Sequence, residues 1–172
     1  DSGNINTIIG VSAGTSITTG DQNTFYGSQA GNKTTTGIRN TALGRLALTY
    51  NETGNFNTVV GWYAGRSING VSFTGASLFG AGVGYFNEAD YFTAFGYYAG
   101  YSNTTGDSNT YFGTRAGYYN QTGDRNTLVG TEVGYGTSGA NINYSTGVGW
   151  RALYNIETNY NRVKSLFEKN SA

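Results

Sequence analysis

The stretch Gly106-Asp107-Ser108-Asn109-Thr110-Tyr111-Phe112-Gly113-Thr114-Arg115-Ala116-Gly117 returns seventeen residues later as Gly123-Asp124-Arg125-Asn126-Thr127-Leu128-Val129-Gly130-Thr131-Glu132-Val133-Gly134. Aligned on the glycine at 113, the chain divides into nine units, at Gly10, Gly27, Gly44, Gly61, Gly80, Gly96, Gly113, Gly130 and Gly149, with spacings of 17, 17, 17, 19, 16, 17, 17 and 19 residues. The residue before the glycine is always large and apolar: Ile9, Tyr26, Leu43, Val60, Phe79, Phe95, Phe112, Val129 and Val148. Three residues before it stands a hydroxyl, Thr7, Thr24, Thr41, Thr58, Ser77, Thr93, Thr110, Thr127 or Thr146. Three residues after it the side chain is small and apolar, from Ala13 and Ala30 through Val83 and Val133 to Ala152.

One short β-like run per unit, with glycine at the corners, is the signature of a solenoid and not of packed helices. The runs are rich in Thr, Val, Ile, Tyr and Phe, which suit strands. Alternate residues of a strand face opposite sides, so the hydroxyl and large apolar columns share one face, expected to point into the coil. The residue between them is then expected outside. That column holds Ile8, Phe25, Ala42, Val59, Leu78, Ala94, Tyr111, Leu128 and Gly147. A face this apolar forms a large exposed patch unless covered, and such patches mark association surfaces. Sister subunits are the expected cover, with Ile8, Phe25, Val59, Leu78, Tyr111 and Leu128 at the interface.

Composition narrows the function. The 172 residues carry 10 Lys and Arg against 10 Asp and Glu, so neither a basic footprint for nucleic acid nor a cationic face for a membrane is present. Cys, His, Met and Pro are all absent. That removes disulfides, thiolate chemistry, the commonest general base and the commonest metal ligand. No apolar run approaches the ~20 residues needed to cross a bilayer. No cofactor and no metal site is expected. The chain starts inside a repeat at Asp1, as a piece of something longer would.

Units one to four, from Asn6 to Ser67, are the most regular. The connection then lengthens to Ile68-Asn69-Gly70-Val71-Ser72-Phe73-Thr74-Gly75, the next one, residues 85–92, is unusually aromatic, and the last expands over residues 135–144. These three fall in the same part of the repeat and are expected to project from one edge, the place where insertions in repeat proteins often bind. The fold class expected is all-β, a parallel β-solenoid of about nine coils of 16–19 residues over residues 1–156. Residues 157–172 form a second segment. Tyr160, Val163, Leu166 and Phe167 share a helical face from Asn159 to Lys169, a spacing that predicts a short helix entering a coiled coil, with Tyr160, Val163 and Phe167 at a trimer interface.

Candidate binding residues come from the aromatic and acidic parts of the later units. A tyrosine ladder runs two steps past the small apolar column, at Tyr85, Tyr101, Tyr118, Tyr135 and Tyr154, beside Tyr98, Tyr119 and Phe86. Tyr offers a stacking face and a hydroxyl; that suits a sugar and equally suits a subunit seam, and the seam is preferred. Tyr91 and Tyr144 stand in the irregular connections. Glu88 and Asp90, two apart, are a candidate for Ca²⁺ or acid/base work, but no third oxygen ligand is fixed nearby, so a solvated loop is the better account. Asp21, Asp107 and Asp124 follow corner glycines and read as turn closure. The Asn-x-Ser/Thr sequences at Asn32, Asn51, Asn103, Asn120 and Asn143 follow from the repeat's own taste for Asn and Thr.

The Asn-Thr-x-x-Gly-x-x-Ala-Gly units, seen in residues 23–31 and 109–117, resemble the head repeats of trimeric autotransporter adhesins. They resemble more closely the glycine-rich repeats of phage tail-fibre-like and bacterial surface fibres that end in an endosialidase-type chaperone. The likeness runs from Asn6 to Tyr154. The adhesin repeat is usually shorter, and Ala76, Phe92 and Ser145 stand where its Asn belongs. The resemblance implies a left-handed β-roll, a homotrimer, and an extracellular role on a cell surface or phage tail in attachment to a glycan or protein receptor of a target cell. It also implies that Lys169–Ala172 lie near a chaperone release point. A purely structural shaft is one alternative. An ice-binding solenoid is another, disfavoured here because the Thr column is expected inside; an enzyme is not expected.

Overall fold

The computed structural model describes residues 4–68, 70–156, 158–159 and 163–165. Its strands are β1 (Thr7–Ile9), β2 (Thr24–Tyr26), β3 (Thr41–Leu43), β4 (Thr58–Val60), β5 (Ser77–Phe79), β6 (Thr93–Phe95), β7 (Thr110–Phe112), β8 (Thr127–Val129), β9 (Asn141–Ile142), β10 (Thr146–Val148), β11 (Thr158–Asn159) and β12 (Val163–Ser165). Ten form one parallel sheet in the order β1-β2-β3-β4-β5-β6-β7-β8-β10-β12, and β9 pairs with β11. Register is unshifted: Thr7 faces Thr24, Thr24 faces Thr41, and each repeat column becomes a straight row up the sheet. The chain is therefore an all-β parallel solenoid, with about eight turns between its nine repeat strands and no helix among the described residues.

Each of the nine repeat strands, β1 to β8 and β10, is three residues long because the glycine that follows turns the corner. Gly27 has φ of +139°, a region closed to side chains, and a Cβ there would stand 2.5 Å from the carbonyl oxygen of Gly44 in the next coil. Neighbouring corners thus stack in direct backbone contact. Past the corner, hydrogen bonds still run between coils, as from Gly31 N to Ala47 O at 3.0 Å and from Gly100 N to Ala116 O at 2.8 Å. The connections satisfy their backbone groups as the strands do, in the next coil.

The strand faces are the reverse of the sequence expectation. The middle column points inward: Phe25, Ala42, Val59, Leu78, Ala94, Tyr111 and Leu128 are fully buried within the single chain. Phe25, Val59, Leu78, Tyr111 and Leu128 therefore lie in the chain's own core and cannot form a trimer interface. Ile8 belongs to the same inward column and is partly exposed because β1 is the terminal strand of the sheet. The outer columns face away from the core, with Tyr26 55% and Phe112 40% exposed. The physical reason is volume. Along the strands the interior is filled by the middle column against the small apolar column, joined by Leu48 and Leu153, so large and small residues alternate to fill it. At Gly147 a Cβ would come within 2.8 Å of Val133 Cγ2 and 2.9 Å of Leu153 Cδ1, leaving no room for any side chain.

Beside this slab runs a buried asparagine ladder. Asn23 Oδ1 accepts from Asn40 N at 2.9 Å and from Asn40 Nδ2 at 3.1 Å; Asn40 Oδ1 accepts from Asn57 N and Nδ2 in the same way. Asn109 and Asn126 repeat the rung. The ladder is interrupted at Ala76 and Phe92, and there the irregular connections fill the interior with Phe73 and Phe92, both fully buried. The expanded last connection likewise buries Ile142. These connections are thus partly core, not wholly projecting loops.

The expected tail helix is corrected. Thr158–Asn159 and Val163–Ser165 are strands, and Val163 pairs with Thr146, seventeen residues earlier. The repeat period continues past Gly149, and the backbone groups of β10 supply partners that a short isolated helix lacks. Tyr160 and Phe167 lie outside the described residues.

Candidate functional site

Three surfaces of the solenoid carry chemistry, and the sheet face is the first. Its outward rows are the hydroxyl column and the large apolar column. Phe79, Phe95 and Phe112 stack along it at 4.6 and 4.7 Å between ring centroids, with planes 6° apart. Ile9, Leu43, Val129 and Val148 extend the row, and Val11, Trp62, Tyr97 and Trp150, one step past the corner glycine, add exposed apolar area. Sequence reasoning placed this face inside. The regular burial of the middle column reveals it, and that alternation of Phe, Ala, Val, Leu and Gly was the available signal.

The second surface is an aromatic comb. Tyr85, Tyr101, Tyr118, Tyr135 and Tyr154 stack in sequence at 5.1, 5.0, 5.2 and 5.2 Å. Phe86, Tyr98 and Tyr119 meet the stack edge-on. The structure therefore brings eight of the singled-out aromatics together. Both ends are capped by cations: the Arg66 guanidinium lies 5.2 Å from the Tyr85 ring centroid, and that of Arg151 lies 4.7 Å from Tyr154. Every ring face in the row is thus occupied by another ring or a guanidinium. What the comb offers outward is ring edges and hydroxyls, so it is a seam between coils of one chain and a poor platform for stacking a sugar. Partial burial, followed by neighbouring phenols, raises the hydroxyl pKa values of Tyr101 and Tyr118. They remain protonated donors throughout the neutral range.

The third surface is the corner before each strand. Tyr91 is 64% exposed and Tyr144 45%, and both have left-handed backbone, φ +53° and +49°. Arg39, Phe56 and Arg125 occupy the same column with the same backbone. Tyr144 Oη accepts from Arg125 Nη1 at 2.7 Å. Tyr91 and Tyr144 thus stand apart from the comb, in a different column.

The carboxylates organise backbone. Asp90 Oδ1 accepts from Thr74 N at 2.7 Å, Asp107 Oδ1 from Asp90 N at 3.1 Å, and Asp124 Oδ1 from Asp107 N at 2.9 Å. Each reaches the preceding coil, so the turn-closing role read from the sequence is an inter-coil rung. A side-chain bond from Gln22, and then the backbone N–H of Ile5, hold the Asp21 carboxyl below its usual range. Burial raises that of Glu88. Glu88 and Asp90 are not joined by a third ligand: among the described residues no group of three or more His, Cys, Asp or Glu could hold a metal ion. Asn51, Asn103 and Asn120 are fully buried, which closes those three Asn-x-Ser/Thr sequences to glycosylation. Among the described residues no helix is long and apolar enough to cross a membrane.

A cleft beside the start of the comb was not singled out by sequence. Lys33, Tyr50, Glu52, Arg66, Ile68 and Gly70 line it. The signal was present: Arg66 occupies the column that Tyr holds from Tyr85 onward. Comparison of the chain with protein families, with curated proteins and with solved structures returns no match.

Proposed function

We propose that this chain is the attachment module of an extracellular fibre, on a cell surface or phage tail, in which three copies pack side by side through their sheet faces. The observation that supports it is the continuous apolar row on the outward sheet face, from Ile9 through the Phe79–Phe95–Phe112 stack to Val148. Unshifted register lines these residues up as one stripe on each copy, and a matching stripe on an identical copy is its natural complement. Contiguous exposed apolar area of this kind marks association. The resemblance to trimeric adhesin and tail-fibre repeats points the same way, with left-handed coils. The recognition groups are then those outside the packed face, foremost Tyr91 and Tyr144, whose target is a surface glycan or protein of another cell.

Sedimentation equilibrium tests the assembly. A trimer is expected, converted to monomer by Phe95→Asp; a monomeric parent chain overturns the proposal. A glycan array with Tyr91→Ala and Tyr144→Ala then reads the attachment role, with loss of signal expected. If the parent chain binds nothing on the array, the chain is a shaft and recognition lies elsewhere; signal that survives loss of both rings takes Tyr91 and Tyr144 out of the recognition role.

A second reading draws on the orientation of the threonines. Thr7, Thr24, Thr41, Thr127 and Thr146 are exposed in a row on a regular sheet, at the ~4.8 Å strand spacing, which removes the objection to ice binding that they are buried. The neighbouring row is aromatic or aliphatic and holds no second Thr. Absence of thermal hysteresis at millimolar protein eliminates this reading.

A further inference from the structure

The cleft beside Arg66 has a volume of about 440 Å³, within the ~300–1,000 Å³ of small-molecule sites. It lies on the connection that follows the small apolar column, away from the strand residues that the packed face would use. Two cations, Lys33 and Arg66, meet one carboxylate, Glu52, and one aromatic ring, Tyr50. Among the described residues neither cation stands in an ion pair. Arg66 is instead held by rings: its guanidinium carbon lies 5.1 Å from the Tyr50 centroid, 5.7 Å from Tyr63 and 5.2 Å from Tyr85, and Nη1 donates to Tyr85 Oη at 3.1 Å. Arg66 Nε is buried without an acceptor. The rings fix a planar cation at the cleft without an ion-pair partner among the described residues, and with Lys33 against the single carboxylate of Glu52 the lining carries one excess positive charge. That is a preorganised receptor for a planar anion.

We infer that this cleft binds the carboxylate of an acidic sugar residue, a hexuronate within a glycan, an assignment that rests on the attachment reading above. Arg66 takes the carboxylate, and Lys33, exposed at the rim, adds a mobile point charge. Tyr50 supplies an apolar wall for the sugar's C–H face. Glu52 accepts from sugar hydroxyls. A phosphate gains from the two cations, but Glu52 repels its second charge and the ring has no role for it. A carboxylated sugar uses all four groups.

Calorimetric titration of the intact chain with oligogalacturonate tests this, with the neutral galactose oligomer and inorganic phosphate as comparison probes. Expected is binding of the acidic oligomer only, weakened about tenfold or more by Arg66→Gln and by Lys33→Ala, and unaffected by Tyr144→Ala. Lys33 is exposed, so its variant keeps the fold, and an unchanged thermal melt verifies that. Equal affinity for the neutral oligomer, or for phosphate, overturns the inference. So does acidic-oligomer binding that survives both cation variants but falls with Tyr144→Ala; that result leaves the attachment reading standing. A chain that assembles through its sheet face yet shows no heat with oligogalacturonate at millimolar concentration also overturns this site alone.

Discussion

Units one to four and units five to nine share one backbone and differ in what they carry on it. In the column two steps past the small apolar residue, the first units have Thr15, Asn32 and Thr49, Arg66 marks the change, and Tyr fills every later unit. The asparagine ladder runs unbroken from Asn23 to Asn57, stops at Ala76 and Phe92, and resumes at Asn109. The tyrosine comb begins where that ladder is broken. Coil-to-coil cohesion beyond the backbone thus comes from buried amide hydrogen bonds in the first region; in the second, stacked rings on an outer edge begin where those bonds lapse and continue beside them once the ladder resumes. The lesson is that the corner glycines, the small column and the backbone rungs define the coil, while its outward columns are free to take up other work.

The largest expected effect tests the part both regions share. Gly27→Ala in the first region and Gly96→Ala in the second each force a Cβ to 2.5 Å from the carbonyl oxygen of the next corner glycine, at φ near +140°. Each is expected to cost about 3 kcal/mol or more in urea unfolding. Gly139→Ala, where nothing lies within 4 Å of the added atom, isolates the backbone cost alone. If the two corner variants differ greatly, the regions do not share one scaffold.

The next effect separates them. Asn40→Ala removes a fully bonded rung and leaves Asn57 N and Nδ2 and the Gly54 carbonyl without that partner. A loss of about 2–3 kcal/mol is expected, since buried groups are left unsatisfied. Tyr118→Ala removes two stacking contacts, at 5.0 and 5.2 Å, at about 0.5–1.5 kcal/mol each, whereas Tyr118→Phe keeps the rings and is expected to change little. Thr15→Ala, the equivalent exposed position in the first region, is expected to fall within about 0.5 kcal/mol. Differential scanning calorimetry on the set checks the order, and a Tyr118→Ala cost no larger than that of Thr15→Ala removes the cohesive role of the comb.

Much of this scaffold is legible in the sequence, because a glycine that must turn a corner and an interior column held to Ala or Val leave few substitutes to blur the period. The phase of the strand is not. Three residues give two choices of face, and uniform apolarity of the column from Ile9 to Val148 favoured the wrong one. The inward column reads as mixed because its volumes are compensated by neighbours in its own and the adjacent coil, as Gly147 is by Leu153 and Val133. The tail misled for a related reason: the spacing of Tyr160, Val163 and Phe167 matches a helix, while the seventeen-residue step from Thr146 to Val163 matches the sheet, and pairing with β10 decided between them. The comb residues were found because Tyr is conspicuous. Their faces being occupied followed only from the stacking distances. Arg66, Lys33 and Tyr50 come from three successive coils, and only the register of the solenoid places them together.

The smallest effect sharpens the comparison through pH. Tyr111 is fully buried beneath the later units, and burial pushes its phenol far above the usual range of ~10 against the opposing hydrogen bonds of Asn120 and Asn126. Burial raises Tyr101, Tyr118 and Tyr135 in the same direction. A folded-state pKa above the unfolded value means the native chain holds the proton more tightly. The stabilisation is then fully present below the unfolded pKa and is lost as pH rises from there toward the folded value. Urea midpoints are therefore expected to be level, as far as these phenols go, between pH 7 and about 9 and to fall above about 10. Tyr111→Phe gives up the 2.6 Å bond from Asn120 Nδ2, costing about 1 kcal/mol at neutral pH. In exchange it has nothing to ionise, so its midpoint must decline less steeply above pH 10 than that of the parent chain. Parallel decline in the two proteins would place the alkaline loss in some other group and take Tyr111 out of the account.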